Sequence, residues 1–321
     1  MKENNNVRNS LFRRILMASI VAVLGILALT ATALASPVNT NAKVKYSFQT
    51  LNDNADPTFN QLLGINNSGV IAGYFGSGAD GHPNQGYTLA SPYGQGNYTN
   101  ENYPGSVQTQ VTGINNKGDT SGFWVDGKGN NFGFVEWNGV FTSYADPHTG
   151  KGTVNQLLGI KDKGIAVGFY TDAKGVNHAY ELNQKTGKFT EIVPPGGNNA
   201  IAAGINDNGD VVGFLTASNG DVVGFLLKKN TFTEFDFPGS TNTTPLGVNS
   251  TDQIVGGYVD GAGLMHGFVL SNPLMHAKWQ SIDDPNGVGT TTINGLNDNG
   301  NLVGFYVDAN GNTDGFLATK K

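Results

Sequence analysis

Short apolar runs separated by polar, glycine-rich turns follow one another along the chain. The clearest example spans Gly295 to Leu317 and reads GLNDNGNLVGFYVDANGNTDGFL. Its central run, Asn301 to Val307, is apolar on both faces, which suits a strand packed between two other sheets. The turns at its ends, Asp298-Asn299-Gly300 and Asp308-Ala309-Asn310-Gly311, combine Asp or Asn with Gly as tight turns require. No segment beyond residue 35 has an apolar period of 3.6 over three turns, so the pattern predicts an all-β chain.

Five other stretches are imperfect copies of this one. The six repeats, numbered 1 to 6 in chain order, start at the marker glycines Gly64, Gly113, Gly159, Gly204, Gly247 and Gly295. Their spacings of 49, 46, 45, 43 and 48 residues leave room for four short strands in each repeat, which we call a, b, c and d. Four-stranded repeats of this length are typical of β-propeller blades, whereas the coils of a parallel β-helix are much shorter.

The two chain ends indicate how the ring closes. Lys45 to Leu51, KYSFQTL, resembles the d strands of the other repeats and precedes the first a strand. The chain ends at Thr319 to Lys321, just after the sixth c strand, so repeat 6 has no d strand of its own. We therefore predict a six-bladed β-propeller of four-stranded blades, closed by an N-terminal strand that pairs with the C-terminal blade.

Residues 1–35 are arranged like a secretory signal peptide. An apolar run from Ile15 to Leu29 is followed by Ala33-Leu34-Ala35 and is preceded by the basic residues Lys2, Arg8, Arg13 and Arg14. An uncleaved membrane anchor is the alternative, since Ile15 to Ala35 is just long enough to span a bilayer. With cleavage, residues 36–321 form a single propeller domain that we expect to be secreted, periplasmic or located at the cell surface.

Composition narrows the possible partners. The chain has no cysteine, so stability must come from packing and strand pairing. Residues 36–321 carry 15 basic against 24 acidic residues, a net charge of −9. Such an acidic surface argues against nucleic acid and against anionic membranes as partners, apart from membrane contact through an uncleaved N-terminal segment. We expect a monomer.

The repeats resemble those of the bacterial extracellular HAF-repeat proteins, named for a His-Ala-Phe signature. This chain has His178-Ala179-Tyr180 and His266-Gly267-Phe268 at the signature position, and its Gly-Ile-Asn-x-x-Gly and Val-Gly-x-Tyr elements are also similar. No repeat has all three signature residues, and most replace His-Ala with x-Gly. The resemblance covers essentially all of residues 36–321, and it implies a repeat β-propeller and export but no reaction.

Metal and cofactor motifs are missing. The repeats without His178 or His266 have Gln85, Phe132, Val223 and Asp314 in that column, which predicts packing at the start of strand c rather than a metal site. Calcium is the alternative at the Asp-x-x-Gly turns. The closest match to a calcium loop, Asp308 to Thr313, has Thr where the sharp-turn Gly belongs. We therefore predict no cofactor.

Enzyme signatures are also missing. The chain has no Gly-x-Ser-x-Gly nucleophile elbow, no phosphate-binding Gly-Lys-Ser/Thr and no complete sialidase-type Asp box. An enzyme of this sequence would depend on carboxylates, as glycosidases and lyases do.

The predicted strand order places the b–c turns and d–a loops on one face of the disc, where recognition usually resides. The ligand-binding candidates on this face are Asp126, Asp172, Asp260, Asp308, Tyr103, His148, Asp236 and Asp284. If strand a is innermost, a second set lines the channel mouth with uncharged polar groups: Gln61, Gln110, Gln156, Thr244 and Thr292. Bound water is the simplest occupant of such groups.

These observations together favour an exported, non-catalytic binding or cell-envelope interaction module. A glycan is the first ligand to expect and a protein the second. The alternatives are a carboxylate-dependent carbohydrate-active enzyme, with two acidic side chains in a cleft on the b–c face, and a structural matrix protein without a specific ligand.

Overall fold

The computed structural model describes residues 44–195 and 197–321. The predicted signal segment 1–35 lies outside these residues. The described part contains 24 β-strands and one short 3-10 helix, Gln95–Asn97. None of its residues belongs to a helix long and apolar enough to cross a bilayer. The all-β prediction is confirmed.

Each repeat contributes strands a to c in order, and the strand d that follows completes its sheet. Repeat 1 contains β2 (Asn60–Ile65), β3 (Ile71–Phe75), β4 (Gln85–Leu89) and β5 (Tyr98–Asn100). Repeat 2 contains β6 (Gln108–Ile114), β7 (Thr120–Val125), β8 (Asn131–Trp137) and β9 (Val140–Tyr144). Repeat 3 contains β10 (Asn155–Ile160), β11 (Ile165–Thr171), β12 (Asn177–Asn183) and β13 (Lys188–Ile192).

The second half of the chain follows the same order. Repeat 4 contains β14 (Gly197–Ile205), β15 (Val211–Ala217), β16 (Val222–Lys228) and β17 (Thr231–Phe235). Repeat 5 contains β18 (Asn242–Val248), β19 (Ile254–Val259), β20 (Met265–Ser271) and β21 (Lys278–Ile282). Repeat 6 contains β22 (Thr291–Leu296), β23 (Leu302–Val307) and β24 (Thr313–Lys320).

Antiparallel pairing of neighbouring strands builds the sheets. Repeats 1, 2 and 3 each form a separate four-stranded sheet. Repeats 4 and 5 share an eight-stranded sheet, in which one parallel pair, Val222 with Asn242, joins two antiparallel sets of four. The fourth strand of the last sheet is β1 (Tyr46–Thr50), which pairs with β24 from Tyr46 opposite Lys320 to Thr50 opposite Phe316.

Every strand b has a glycine where the paired strand a has a bulge. In repeat 3 the bulge lies between Leu157 and Gly159, and a Cβ on Gly168 would overlap the carbonyl oxygen of Gln156. The aromatic ring of strand c packs over the bare glycine of the neighbouring strand. The cross-strand pairs are Gly73–Tyr87, Gly122–Phe134, Gly168–Tyr180, Gly213–Phe225, Gly256–Phe268 and Gly304–Phe316. All six rings are at most 2% exposed, so they form the centre of each sheet's core.

The small residue before each of these aromatics touches the next repeat. A Cβ on Gly267 would lie 2.7 Å from Ile293 Cγ1 of the following strand a. A Cβ on Gly315, in the last repeat, would lie 2.9 Å from Leu62 Cγ in the first. The position before the strand c aromatic is therefore Gly or Ala, because the adjacent sheet packs directly on it. Repeat 6 packs on repeat 1 in the same way that repeat 5 packs on repeat 6.

The marker glycines bring the a strands into backbone contact. A Cβ on Gly159 would lie 3.3 Å from the Cα of Gly204, and a Cβ on Gly204 would lie 3.1 Å from the Cα of Gly247. The same 3.1 Å separates a Cβ on Gly295 from the Cα of Gly64. Glycine is needed at these positions for close approach between repeats, because none of them has a positive φ.

Candidate functional site

The predicted aspartates of the b–c turns hold their own turns together. Asp126 Oδ1 accepts hydrogen bonds from the backbone N–H groups of Lys128 and Asn130, at 2.8 and 2.9 Å. Asp172, Asp260 and Asp308 each accept the same two backbone bonds within their turns. Hydrogen bonds from the Asn130 side chain and backbone lower the pKa of Asp126. In Asp126 and Asp308 the second oxygen also accepts asparagine side chains of the same turn, whereas in Asp172 and Asp260 it faces a histidine.

In repeat 3 that second oxygen faces a histidine. His178 Nε2 lies 3.4 Å from Asp172 Oδ2, and His178 Nδ1 lies 2.9 Å from Glu191 Oε1 on β13. The imidazole stacks on the Tyr170 ring with centroids 4.8 Å apart and planes 10° apart. We call Tyr170, Asp172, His178 and Glu191 the His178 cluster. Its histidine side chain is 28% exposed.

Repeat 5 builds the same arrangement from different residues. His266 Nε2 lies 3.3 Å from Asp260 Oδ2, and His266 Nδ1 lies 3.0 Å from Asp283 Oδ1. The ring stacks on Tyr258, with centroids 5.2 Å apart. We call Tyr258, Asp260, His266 and Asp283 the His266 cluster. The prediction that the histidines at this repeat position serve only for packing is therefore incomplete. Both rings also bridge two carboxylates and keep an exposed edge.

The predicted Tyr103, and Phe237 beside the predicted Asp236, add aromatic rings next to strand b. Tyr103 stacks on Trp124, with ring centroids 4.2 Å apart and planes 9° apart. Phe237, which follows Asp236, stacks on Tyr258 in the same way at 3.6 Å. His148 is bonded through Nδ1 to the buried Asp146, at 2.9 Å, and its own side chain is largely exposed. The face therefore carries several flat ring stacks beside carboxylates.

The carboxyl group of Asp236 has a raised pKa. Partial desolvation of its carboxyl group raises its pKa to about 6, and the carboxylates of Asp221 and Glu234 act in the same direction. The side chain lies at the surface, just beyond the end of β17. Asp284, by contrast, is only 2% exposed and lies next to Asp314 rather than next to a histidine.

The predicted channel-mouth residues are buried, and side chains among them bond within their own repeat or to the neighbouring one. Gln61 Oε1 accepts a hydrogen bond from the Tyr74 hydroxyl at 2.9 Å, and Gln110 Nε2 donates to Asn84 Oδ1 at 2.9 Å. The Thr244 hydroxyl donates to the carbonyl of Gly257. Gln156 and Thr292 are at most 5% exposed.

A pocket of about 70 Å³ opens at the other ends of the a strands. Its apolar wall consists of the residues that follow the marker glycines: Ile65, Ile114, Ile160, Ile205, Val248 and Leu296. Its polar rim consists of turn residues whose backbone N–H groups donate to Oδ1 of a turn residue in another repeat. The donors are Asn67, Asn116, Asp162, Ser250 and Asp298. In the same order, the acceptors are Asn116, Asp162, Asp207, Asp298 and Asn67. None of the five predicted channel residues lines this pocket, and sequence reasoning missed it because the rim residues read as ordinary turn formers.

No protein-family model matches the chain, and no curated protein matches its sequence. Solved structures do match. AofleA from Arthrobotrys oligospora aligns with a TM-score of 0.52 at 11% identity, covering 86% of this chain and 88% of that one. The fucose-specific lectin from Aleuria aurantia aligns at 0.50 and 12% identity, covering 82% and 95%. The Hadza microbial sialidase Hz136 aligns at 0.51 and 13% identity, covering 81% and 65%.

The Aleuria lectin is itself named a six-bladed β-propeller in another of its structures. The chain has the all-β propeller fold. At these identities the likeness concerns the fold alone, so the site must be argued from the propeller's own residues. Within residues 44–195 and 197–321, no three His, Asp or Glu side chains come together as a set of metal ligands.

Proposed function

We propose that the chain is a carbohydrate-binding β-propeller with six four-stranded blades, closed by β1 on β24. The ring is supported by the contacts between repeats, which recur from each repeat to the next. Gly315 packs on Leu62 in the same way that Gly267 packs on Ile293. Gly295 contacts Gly64 in the same way that Gly204 contacts Gly247. The Asn297 amide also donates to the carbonyl of Asn66 at 3.0 Å, across the same junction.

The observation that carries the proposed function is that the same arrangement of a histidine, a tyrosine and two carboxylates occurs in two repeats. The His178 and His266 clusters each combine a stacked pair of flat rings with two carboxylates, and their outer carboxylates, Glu191 and Asp283, are about half exposed. Sugars present hydroxyl groups that donate to carboxylates, so the half-exposed carboxylates of these clusters match carbohydrate chemistry. The acidic pairs disfavour uronic and sialic acids, and neutral glycans are the expected ligands.

Two further considerations support this proposal. The lectins among the structural neighbours include a fucose-specific protein of the same fold. The basic, apolar and alanine-rich order of residues 1–35 supports export, and the likeness to HAF repeats agrees with an extracellular repeat protein.

We do not propose catalysis. In each of the two clusters the histidine ring bonds to both carboxylates. The side chains of the further acid pair, Asp284 with Asp314, are at most 8% exposed. A glycosidase needs its two carboxylates on either side of an accessible glycosidic bond.

The test is a glycan array probed with residues 36–321, the double variant His178→Ala/His266→Ala, and the control His276→Ala. We expect the unaltered protein to bind neutral glycans and the double variant to lose at least tenfold in affinity, because each cluster loses the group that orders its carboxylates. His276 is exposed on a c–d loop, so its variant should bind normally. Binding that is equal in all three proteins, or absent from the unaltered protein, would refute the proposal.

A further inference from the structure

Three d–a loops contain the same Asp-Pro turn. Asp56, Asp146 and Asp284 each precede a proline, and all three are at most 6% exposed. In each, Oδ1 accepts the backbone N–H two residues on, from Thr58, His148 and Asn286, at 3.1, 2.8 and 2.8 Å respectively. The loops thus bury three carboxylates in the same local geometry, and what differs between them is the partner of each carboxylate.

Two of the three carboxylates have a histidine. His82 Nδ1 lies 2.7 Å from Asp56 Oδ2, and His148 Nδ1 lies 2.9 Å from Asp146 Oδ1. Burial alone would raise the pKa of Asp56, but hydrogen bonds from Thr58 and His82 outweigh it and lower that pKa. A buried carboxylate in these loops is therefore stabilised by a group that can carry positive charge.

The third carboxylate has no such partner among the residues that the structure describes. Asp284 Oδ2 is buried and makes no hydrogen bond, and Asp284 forms no ion pair with Lys, Arg or His. Its neighbour is a second carboxylate, Asp314, which is 8% exposed. Burial raises the pKa of Asp284, and Asp314 raises it further.

The sheet brings the two carboxylates together around oxygen donors. The backbone N–H of Asp284 donates to Thr291 Oγ1, Thr291 pairs with Tyr306, and Tyr306 pairs with Asp314. Asn52 Nδ2 donates a hydrogen bond to Asp314 Oδ1 at 2.6 Å. The exposed Asn286 is within hydrogen-bonding reach of both Asp284 and Tyr306.

We propose that Asp284 and Asp314 bind a hard divalent cation, with Ca²⁺ as the best match, at the junction between repeat 6 and the N-terminal segment. Two buried carboxylates without a positive partner destabilise the folded state. All the available donors are oxygens, and Ca²⁺ accepts irregular sets of carboxylate, amide and water oxygens. The cation would replace the histidine of the other two loops, and the site is independent of carbohydrate binding. A proton shared by the two carboxylates is the competing occupant, because it needs only two oxygens.

The test measures the unfolding temperature of residues 36–321 from pH 4 to pH 8, with EDTA and with CaCl₂, and CaCl₂ binding at pH 7.5 by calorimetry. With EDTA, the unfolding temperature should fall as pH rises above the ordinary range of Asp, because ionisation of a carboxyl with a raised pKa is disfavoured in the folded state. CaCl₂ at about 100 times its Kd should restore several degrees at pH 7.5 and nothing at pH 4.

Three variants make the result specific. Asp284→Asn should abolish the calcium response and reduce the loss of stability at high pH, leaving the part that Asp236 contributes. Asp314→His, which imitates the histidine partners of the other loops, should fold and lose the calcium response. Asp56→Asn, the matched loop variant, should bind CaCl₂ like the unaltered protein. The proposal fails if CaCl₂ neither binds nor stabilises the unaltered protein, which would leave the shared proton as the occupant, or if Asp284→Asn keeps the calcium response.

Discussion

Single glycines decide how closely the repeats approach. The sequence marks Gly295 as the start of a repeat, but only the structure shows what it touches: a Cβ there would lie 2.8 Å from the carbonyl oxygen of Leu63 in repeat 1. A glycine-rich sequence predicts turns well, and it does not distinguish a turn glycine from one that admits a neighbouring backbone.

We expect Gly295→Ala to lower the free energy of unfolding by about 1–3 kcal/mol, because the added methyl group overpacks two backbones at the junction of repeats 6 and 1. Gly127→Ala is the matched control, since a Cβ there meets nothing within 4 Å and φ is not positive. Urea denaturation measures both. Equal midpoints for the two variants would contradict the close contact between these repeats.

Asp236 should make stability depend on pH. Its folded-state pKa of about 6 lies above the ordinary value of 3.8, so the protonated form is favoured on folding. The corresponding stability is present below about pH 4 and is lost as pH rises to about 6. Asp236→Asn should therefore unfold at a higher temperature than the unaltered protein at pH 7.5, and at the same temperature at pH 4. An equal difference at both pH values would show that the carboxyl's ionisation is not responsible.

At the scale of elements, the sequence pattern predicts strands well where turn chemistry bounds them. The apolar run Ile165 to Tyr170 predicts strand b of repeat 3, which is observed as Ile165–Thr171. The run Phe232 to Phe237 predicts strand d of repeat 4, but that strand ends at Phe235 because Phe237 leaves the sheet and stacks on Tyr258. That contact joins residues from different parts of the chain, so local apolar pattern cannot reveal it.

The N-terminal strand gives an element-scale prediction. Phe48 in β1 is partly buried, and its ring lies 5.6 Å from that of Phe316 in β24. We expect Phe48→Ala to destabilise the fold by about 2–3 kcal/mol, less than a fully buried Phe, because β1 joins the core of the last sheet. The neighbouring Gln49 is exposed, and Gln49→Ala should change the unfolding free energy by under about 0.5 kcal/mol. Indistinguishable unfolding of Phe48→Ala and Gln49→Ala would argue that β1 does not complete that sheet.

At the scale of the whole molecule, the sequence leads to the fold more directly than to the site. The period and the strand pattern suffice for an all-β repeat fold. The site depends on register: Glu191 lies on strand d and Asp283 directly follows one, 13 and 17 residues after the histidines that they bond. Asp284 and Asp314 are likewise brought together only by pairing through Tyr306. Such juxtapositions follow from strand alignment, which composition and motif spacing do not specify.

The central claim is that this propeller binds carbohydrate through the His178 and His266 clusters. The most direct measurement is a crystal structure of residues 36–321 with the neutral oligosaccharide that binds most tightly on the array. The account predicts sugar density at both clusters, with hydroxyl groups bonded to Glu191 and to Asp283. Sugar density confined to the pocket rimmed by Asn67, Asp207 and Asp298, or to any site away from the two histidines, would contradict it.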